Sequence, residues 1–198
     1  MRAVHIRRST SARGITLSSV GVGRTARSSC AVKMALRAML VQVAAVLGFA
    51  VAYYGYGVET KMDSPGYEAM CDISASMSCT AVFQSSYGHI LSHWGLVEKG
   101  SPLDLSLTVA GMLLYGAYFA AACLWDLLGA IGIRRHMFLA VASVGGAFSC
   151  YLLYVLHYIL EDFCVVCFTF HVVNFSMLLI AIAEFIYGTA PKPKSKRA

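Results

Sequence analysis

Charged residues divide the chain into long apolar blocks. Ala38–Val58, Leu105–Trp125, Met137–Leu160 and Phe163–Ala183 contain no Asp, Glu, Lys or Arg. A helix rises 1.5 Å per residue, so about 20 residues cross a ~30 Å hydrocarbon core, and each block predicts one transmembrane helix. The ~10-residue alternating strands of a membrane barrel are not visible. The expected fold is therefore an all-α membrane protein, a bundle of four transmembrane helices. Residues 59–104 separate the first two blocks and predict a capping loop, with Pro65-Gly66 as a turn signal. Within it Met77, Val82, Phe83, Tyr87 and Ile90/Leu91 recur at roughly helical spacing. That spacing predicts a short amphipathic helix lying on the membrane face; an irregular loop with scattered apolar residues is the alternative.

Composition sharpens this picture. Of 198 residues, 58% are apolar and 13% charged, too little charge to cover a water-soluble globule of this size. That composition argues against a soluble enzyme and excludes a disordered chain. The net charge of +6 does not indicate nucleic acid, because of where it sits. All but Lys61 and Lys99 of the sixteen Lys and Arg residues lie in the N-terminal segment, at Arg134-Arg135, or in the tail. With four spans those regions share one side, which the positive-inside rule makes cytosolic; the 59–104 loop then faces the lumen. Tyr53, Tyr54, Tyr56, Trp94, Trp125 and Tyr187 fall near span ends, where amphipathic rings favour the interface. The expected organisation is a basic extension (1–35), a membrane catalytic domain (36–188) and a basic tail (189–198). Residues 1–33 carry Arg and Ser and no acid. They read as a dispensable extension or upstream start, with a mitochondrial transit segment as the alternative.

The chain holds seven cysteines. Cys71 and Cys79 lie in the luminal loop, and Cys164-Val-Val-Cys167 opens the fourth span just after Glu161-Asp162. Topology alone thus puts two pairs on one side of the membrane, where an oxidising compartment permits disulfides. Cys164 and Cys167, three residues apart, share a helical face and can form an exchangeable disulfide. Cys164 is expected in the first helical turn, where the dipole favours a thiolate and the nearby acids oppose it. Two plainer readings stand beside this one. Cysteine packs as a small apolar residue in membrane helices, and four converging cysteines can hold zinc, although a C-x7-C spacing is unlike the usual knuckles. Cys123 and Cys150 are expected to pack within spans, and Cys30 to be a free cytosolic thiol. Two luminal pairs also make a relay: the embedded pair reacts with a lipid-soluble molecule, and the loop pair exchanges with an aqueous thiol protein.

Several residues together resemble a known family. Cys71-Asp72 and Cys79, Phe83-x-Ser85, Gly88, Gly111-x-x-x-Tyr115 and Asp162-Phe163-Cys164-Val-Val-Cys167 with Asn174 are similar to the animal vitamin K epoxide reductases. The likeness runs from about Leu36 to Arg197. It implies reduction of vitamin K epoxide, and of the quinone, by protein thiols, with vitamin K as substrate and no tightly bound cofactor or metal. It further implies that Cys167 attacks the substrate, Cys164 completes the redox disulfide, Cys79 exchanges with Cys164, and Cys71 receives electrons from a luminal thioredoxin-like protein. Phe83 would cap the substrate pocket and Leu160 would line it. The family's headgroup-binding Asn and Tyr match Leu107 and His171 here, and Tyr87 stands for an expected Trp. Leu107 cannot donate a hydrogen bond, though Ser106 or Thr108 can. Binding of coumarin-type inhibitors is an open expectation for the same reason. Lys194-Ser-Lys196-Arg-Ala resembles a K-x-K-x-x retrieval signal, which implies the endoplasmic reticulum membrane. Two other functions fit parts of the pattern. The same relay run backwards is a quinone-dependent generator of protein disulfides, and a structural Cys71–Cys79 bridge alone suits a non-catalytic scaffold.

Overall fold

The computed structural model describes residues 18–74 and 77–188, with side chains for Val32 and from Met34 onward. The first seventeen residues, the Cys30 side chain and the Lys194–Ala198 tail signal lie outside the described residues. Contacts divide the chain into two units, Met1–Ala35 and Leu36–Ala198.

Long helices dominate. α1 (Ser18–Glu59) supplies a first span, Met34–Glu59. α6 (Arg134–Tyr154) continues through one π-helical turn, Val155–Ile159, as a second long span, and α7 (Val165–Tyr187) is a third. Between them α4 (Leu107–Cys123) and α5 (Trp125–Ile131) form a pair bent by 75°. Helices satisfy every backbone polar group internally, which hydrocarbon demands of any lipid-exposed segment. Leu47, Leu113, Val144 and Leu179 are each more than half exposed. Apolar side chains so displayed on spans from all parts of the bundle belong against lipid.

The bend corrects the second span. The uncharged block Leu105–Trp125 reads as one helix, but the helix breaks at Leu124. Trp125 is buried, with the Arg134 guanidinium 4.9 Å over its ring and an Arg134 hydrogen bond to its carbonyl at 3.1 Å. Anchoring Trp125 there turns α5 away from the α4 axis, so Trp125 is a core residue and not an interfacial ring. At 1.5 Å per residue α4 covers about 25 Å, and it needs part of α5 to complete a crossing. Cys123 and Cys150 are also corrected: both are exposed on the outer surface of their helices and fill no core position.

The main core takes residues from every span: Val41 and Ala45, Tyr115 and Tyr118, Phe138 and Ala142, Met177 and Ala181. Small residues set the helix spacing. A Cβ on Gly48 would lie 2.5 Å from the Tyr115 ring, and one on Gly146 would lie 2.9 Å from Leu178. At the end of the bundle away from the loop, Glu184 is fully buried between Arg37 and Arg134.

Candidate functional site

The loop expected to hold one amphipathic helix builds three short pieces instead: α2 (Cys79–Gln84), a 3₁₀ turn (Ser86–Gly88) and α3 (Ile90–His93). Ser85 causes the first break, being extended and donating its hydroxyl to the Val82 carbonyl at 2.6 Å. Gly88 then passes so close to the Phe83 carbonyl that a Cβ would lie 2.6 Å from it. This tight path turns Phe83 inward, and it is buried.

Cys71 and Cys79 are joined as a disulfide with Cα atoms 5.7 Å apart. Asp72 ties the same loop a second time. Its Oδ1 accepts the Ser78 hydroxyl at 2.9 Å and the Thr80 N–H at 3.1 Å, and its Oδ2 accepts the Thr80 hydroxyl at 2.5 Å. Burial opposes ionisation of Asp72, but the hydrogen bonds from Thr80 and Ser78 outweigh it and hold the carboxyl below its ordinary value. Cys71, Asp72 and Cys79 place possible metal-ligating atoms within 4.8 Å of one another. The disulfide consumes both thiolates, so this trio does not fit a zinc site.

The second cysteine pair is set by how α6 ends. Its π turn closes with the Leu160 N–H on the Val155 carbonyl at 2.9 Å, and Glu161 follows at φ +54°. A non-glycine residue there is uncommon and strained, and such turns recur at functional sites. The chain reverses, and Cys164 becomes the extended cap of α7, not a member of its first turn. Its Sγ accepts the Cys167 N–H at 3.2 Å. A sulfur at this position faces the positive end of the helix dipole, which favours its thiolate. Cys164 is buried and Cys167 partly so, and both are free thiols. All four cysteines belong to one cluster: Cys71, Cys79 and Cys164 are buried together with Val58, Phe83, Leu156 and Val166, and Cys167 packs against them.

Beside this cluster lies a partly open, mostly apolar cavity of about 210 Å³. Cys167 opens onto it, and so do His171, Leu107, Phe83 and Leu160, the four residues expected to bind substrate. Cys164 sits behind Cys167 and does not line it. His171 is 4% exposed, and its Nδ1 has no hydrogen-bond partner among the described residues. Tyr87 lines the wall and packs on His93 with ring centroids 4.2 Å apart.

Three further polar residues line the wall: Thr108, named above as an alternative donor, Asn174, quoted above for the resemblance alone, and Ser149, which the sequence did not single out. Asn174 donates to the Ser149 hydroxyl at 2.8 Å and accepts the Tyr115 hydroxyl at 3.0 Å. A screen for charge inside spans passes over such residues. The spacing Cys167, His171, Asn174 along one helical face was the available signal.

A multi-pass helical membrane protein with a free C-x-x-C dithiol against an apolar cavity, and a disulfide packed behind it, has the equipment of a membrane thiol oxidoreductase. The vitamin K epoxide reductase family model matches residues 39–182, most of the chain and most of the bundle. The protein belongs to that family and is an oxidoreductase of its type. It is 29% identical over 181 residues to the mouse (Mus musculus) vitamin K epoxide reductase complex subunit 1, covering 89% of this chain and 99% of that one. The rat (Rattus norvegicus) protein of the same name is 28% identical over 177 residues, with 87% and 100% covered.

Proposed function

We propose that this oxidoreductase reduces vitamin K epoxide to the quinone, and the quinone to the hydroquinone, with Cys164 and Cys167 as the reacting pair. The observation that carries the reading is the placement of Cys167 on the wall of a cavity with His171 one helical turn away. Cys167 attacks the substrate, and Cys164 displaces it from the resulting thioether by forming the Cys164–Cys167 bond. Two electrons pass to the substrate; the epoxide oxygen leaves as water, or the quinone oxygens become hydroxyls. His171, with Nδ1 unpartnered, supplies a hydrogen bond to a headgroup oxygen. Phe83 and Leu160 close the apolar wall around the ring, and Leu107 adds packing without a hydrogen bond.

Electrons return through the loop. Cys79 exchanges with Cys164, and Cys71 accepts from a thioredoxin-like protein in the lumen. Packing of all four cysteines in one cluster supports this path. Exchange between the two pairs is reversible, and the reduction potentials of the thiols and the quinone set its direction. The names of the mouse and rat relatives support vitamin K epoxide as the substrate. The basic flanks support a reading with both termini in the cytosol and the loop in the lumen, and the Lys194–Ala198 tail supports the endoplasmic reticulum membrane. Residues 36–188 form the catalytic domain, with 1–35 and 189–198 as flanks.

The deciding experiment is an anaerobic assay of the purified protein with vitamin K epoxide and a dithiol. Formation of quinone that depends on Cys164 is the expected result. Inertness toward the epoxide, combined with fast oxidation of a reduced thioredoxin-like protein by quinone, would reverse the direction.

A further inference from the structure

Three ionisable residues far apart in sequence meet at the loop end of the bundle. Glu59 ends α1, His89 lies between the 3₁₀ turn and α3, and Asp104 precedes α4. His89 Nε2 is 3.5 Å from Glu59 Oε1, and its Nδ1 is 3.4 Å from Asp104 Oδ2. The Thr108 hydroxyl donates to Glu59 Oε2 and lies 2.9 Å from the Ser106 hydroxyl. Thr108 is buried and lines the cavity, whereas the His89 side chain is 39% exposed. A polar chain thus runs from solvent to the cavity wall through His89, Glu59 and Thr108. Asp104 backs the imidazole and also accepts the Gly100 N–H at 3.1 Å. Among the described residues the ion-pair partners of Glu59, His89 and Asp104 are one another. His93, on α3, packs on Tyr87 instead.

A latch that pins the loop to the spans needs only the ion pairs. It does not need its inner end to be a hydroxyl-bearing residue that lines the cavity. The proton count of the reaction gives that hydroxyl a task. Disulfide exchange returns a cysteine as a thiolate, and Cys164 sits where a helix start holds one. A pair sharing one proton carries two electrons but lacks one proton. Quinone, thiol, thiolate and one further proton give disulfide and hydroquinone; epoxide with the same set gives disulfide, quinone and water.

We propose that Thr108 donates that further proton to a substrate oxygen and is recharged from luminal water through His89 and Glu59. The proposal rests on Cys164 and Cys167 reducing a substrate in this cavity. A hydroxyl both donates and accepts, so Thr108 passes a proton inward as it receives one from the Glu59 carboxyl. Thr108 is the catalytic contact; Glu59 and His89 act through it.

The test is steady-state reduction of vitamin K epoxide by the purified full-length protein with a dithiol, across pH and in heavy water. Thr108→Val and Glu59→Gln should lower kcat about a hundredfold with KM little changed, within the range for a lost general acid. The loss should deepen as pH rises, with a larger solvent isotope effect. Thr108→Ser should recover most of the rate, and added imidazole should partly rescue His89→Ala. A Thr108→Val variant that changes KM alone, with a wild-type pH profile, together with no imidazole rescue of His89→Ala, overturns the relay in favour of a latch. Cys164→Ala in the same assay separates the two levels. If that variant keeps turnover, the thiol reading itself fails, whatever Thr108 does.

Discussion

Replacing Glu184 by Gln tests what holds the bundle at the end away from the loop. Glu184 has no exposed surface. It accepts Arg37 Nη1 at 2.8 Å, Arg134 Nη2 at 2.6 Å and Arg134 Nε at 3.1 Å. Arg134 is 4% exposed and reaches the Trp125 carbonyl as well, so α1, α5, α6 and α7 converge on one carboxylate. Removing one partner from such a buried arrangement costs about 3–5 kcal/mol, chiefly because a charge is left uncompensated. Gln keeps an acceptor oxygen, so the lower end, about 3 kcal/mol, is expected. For a chain of this size that lowers the unfolding midpoint by roughly 6–12 °C. Thermal unfolding in detergent micelles, followed by circular dichroism, measures it. The paired change Arg134→Met with Glu184→Leu removes charge and counter-charge together and should regain most of the loss. Arg37 is less buried than Arg134 and can extend its head toward the interface when Glu184 is gone. A fall of under about 1 kcal/mol, the value of a solvent-exposed pair, would refute the reasoning. So would a double variant no more stable than Glu184→Gln.

Three other predictions address topology, relay and headgroup. In sealed microsomes a membrane-impermeant thiol reagent should label Cys30 from outside and Cys71, once reduced, only after permeabilisation; labelling of both from one side would sink the four-span bundle. Cys164→Ala and Cys167→Ala should each abolish turnover with any reductant, whereas Cys71→Ala and Cys79→Ala should mainly block delivery from a protein thiol. Equal loss in all four with dithiothreitol would deny the pairs separate roles. His171→Phe should slow quinone turnover by roughly ten- to a hundredfold, the cost of one lost buried hydrogen bond, and His171→Tyr should restore part of it. Unchanged kinetics in the Phe variant would leave His171 a packing residue.

Sequence reached the spans through charge, and it failed where charge or its absence was not the deciding force. The blocks between charges locate α1, α6 and α7 because lipid tolerates so few ionised groups. The same rule treats Arg37, Arg134 and Glu184 as boundaries, and says nothing of their being partners inside the bundle. It also runs the second span through Leu124, since the break there comes from Arg134, at the start of the next helix, gripping Trp125. The cavity wall divides in the same way. Cys167 and His171 stand out by their chemistry, and Phe83, Leu107 and Leu160 by resemblance. Thr108, Ser149 and Asn174 are uncharged and ordinary in a span, and only packing brings them to one surface. Cys164 moved from first turn to cap because the strained Glu161 ends the preceding turn, and backbone reversals of that kind have no compositional signature.

Asp72 determines what reduction of Cys71–Cys79 does to the loop. If the disulfide alone held residues 71–80, each catalytic cycle would open the cap that carries Phe83. Asp72 closes the same stretch through Ser78 and Thr80, independently of the sulfurs. Its carboxyl is held below the ordinary value. A depressed carboxylate contributes stability that is fully present above its unfolded value and is lost only as pH falls through the folded one. At any pH near neutrality the clamp is therefore fully engaged. Reduction should then free Cys71 and Cys79 to exchange while α2 keeps its start. Hydrogen exchange of the Thr80 amide, which donates to Asp72, reads this directly. In the wild-type protein that amide should stay protected whether the disulfide is oxidised or reduced. In Asp72→Ala it should lose protection on reduction, far more than while the disulfide is intact. Loss of protection in the reduced wild-type protein would mean that the disulfide, not Asp72, holds the cap, and that electron delivery opens the site on every turnover.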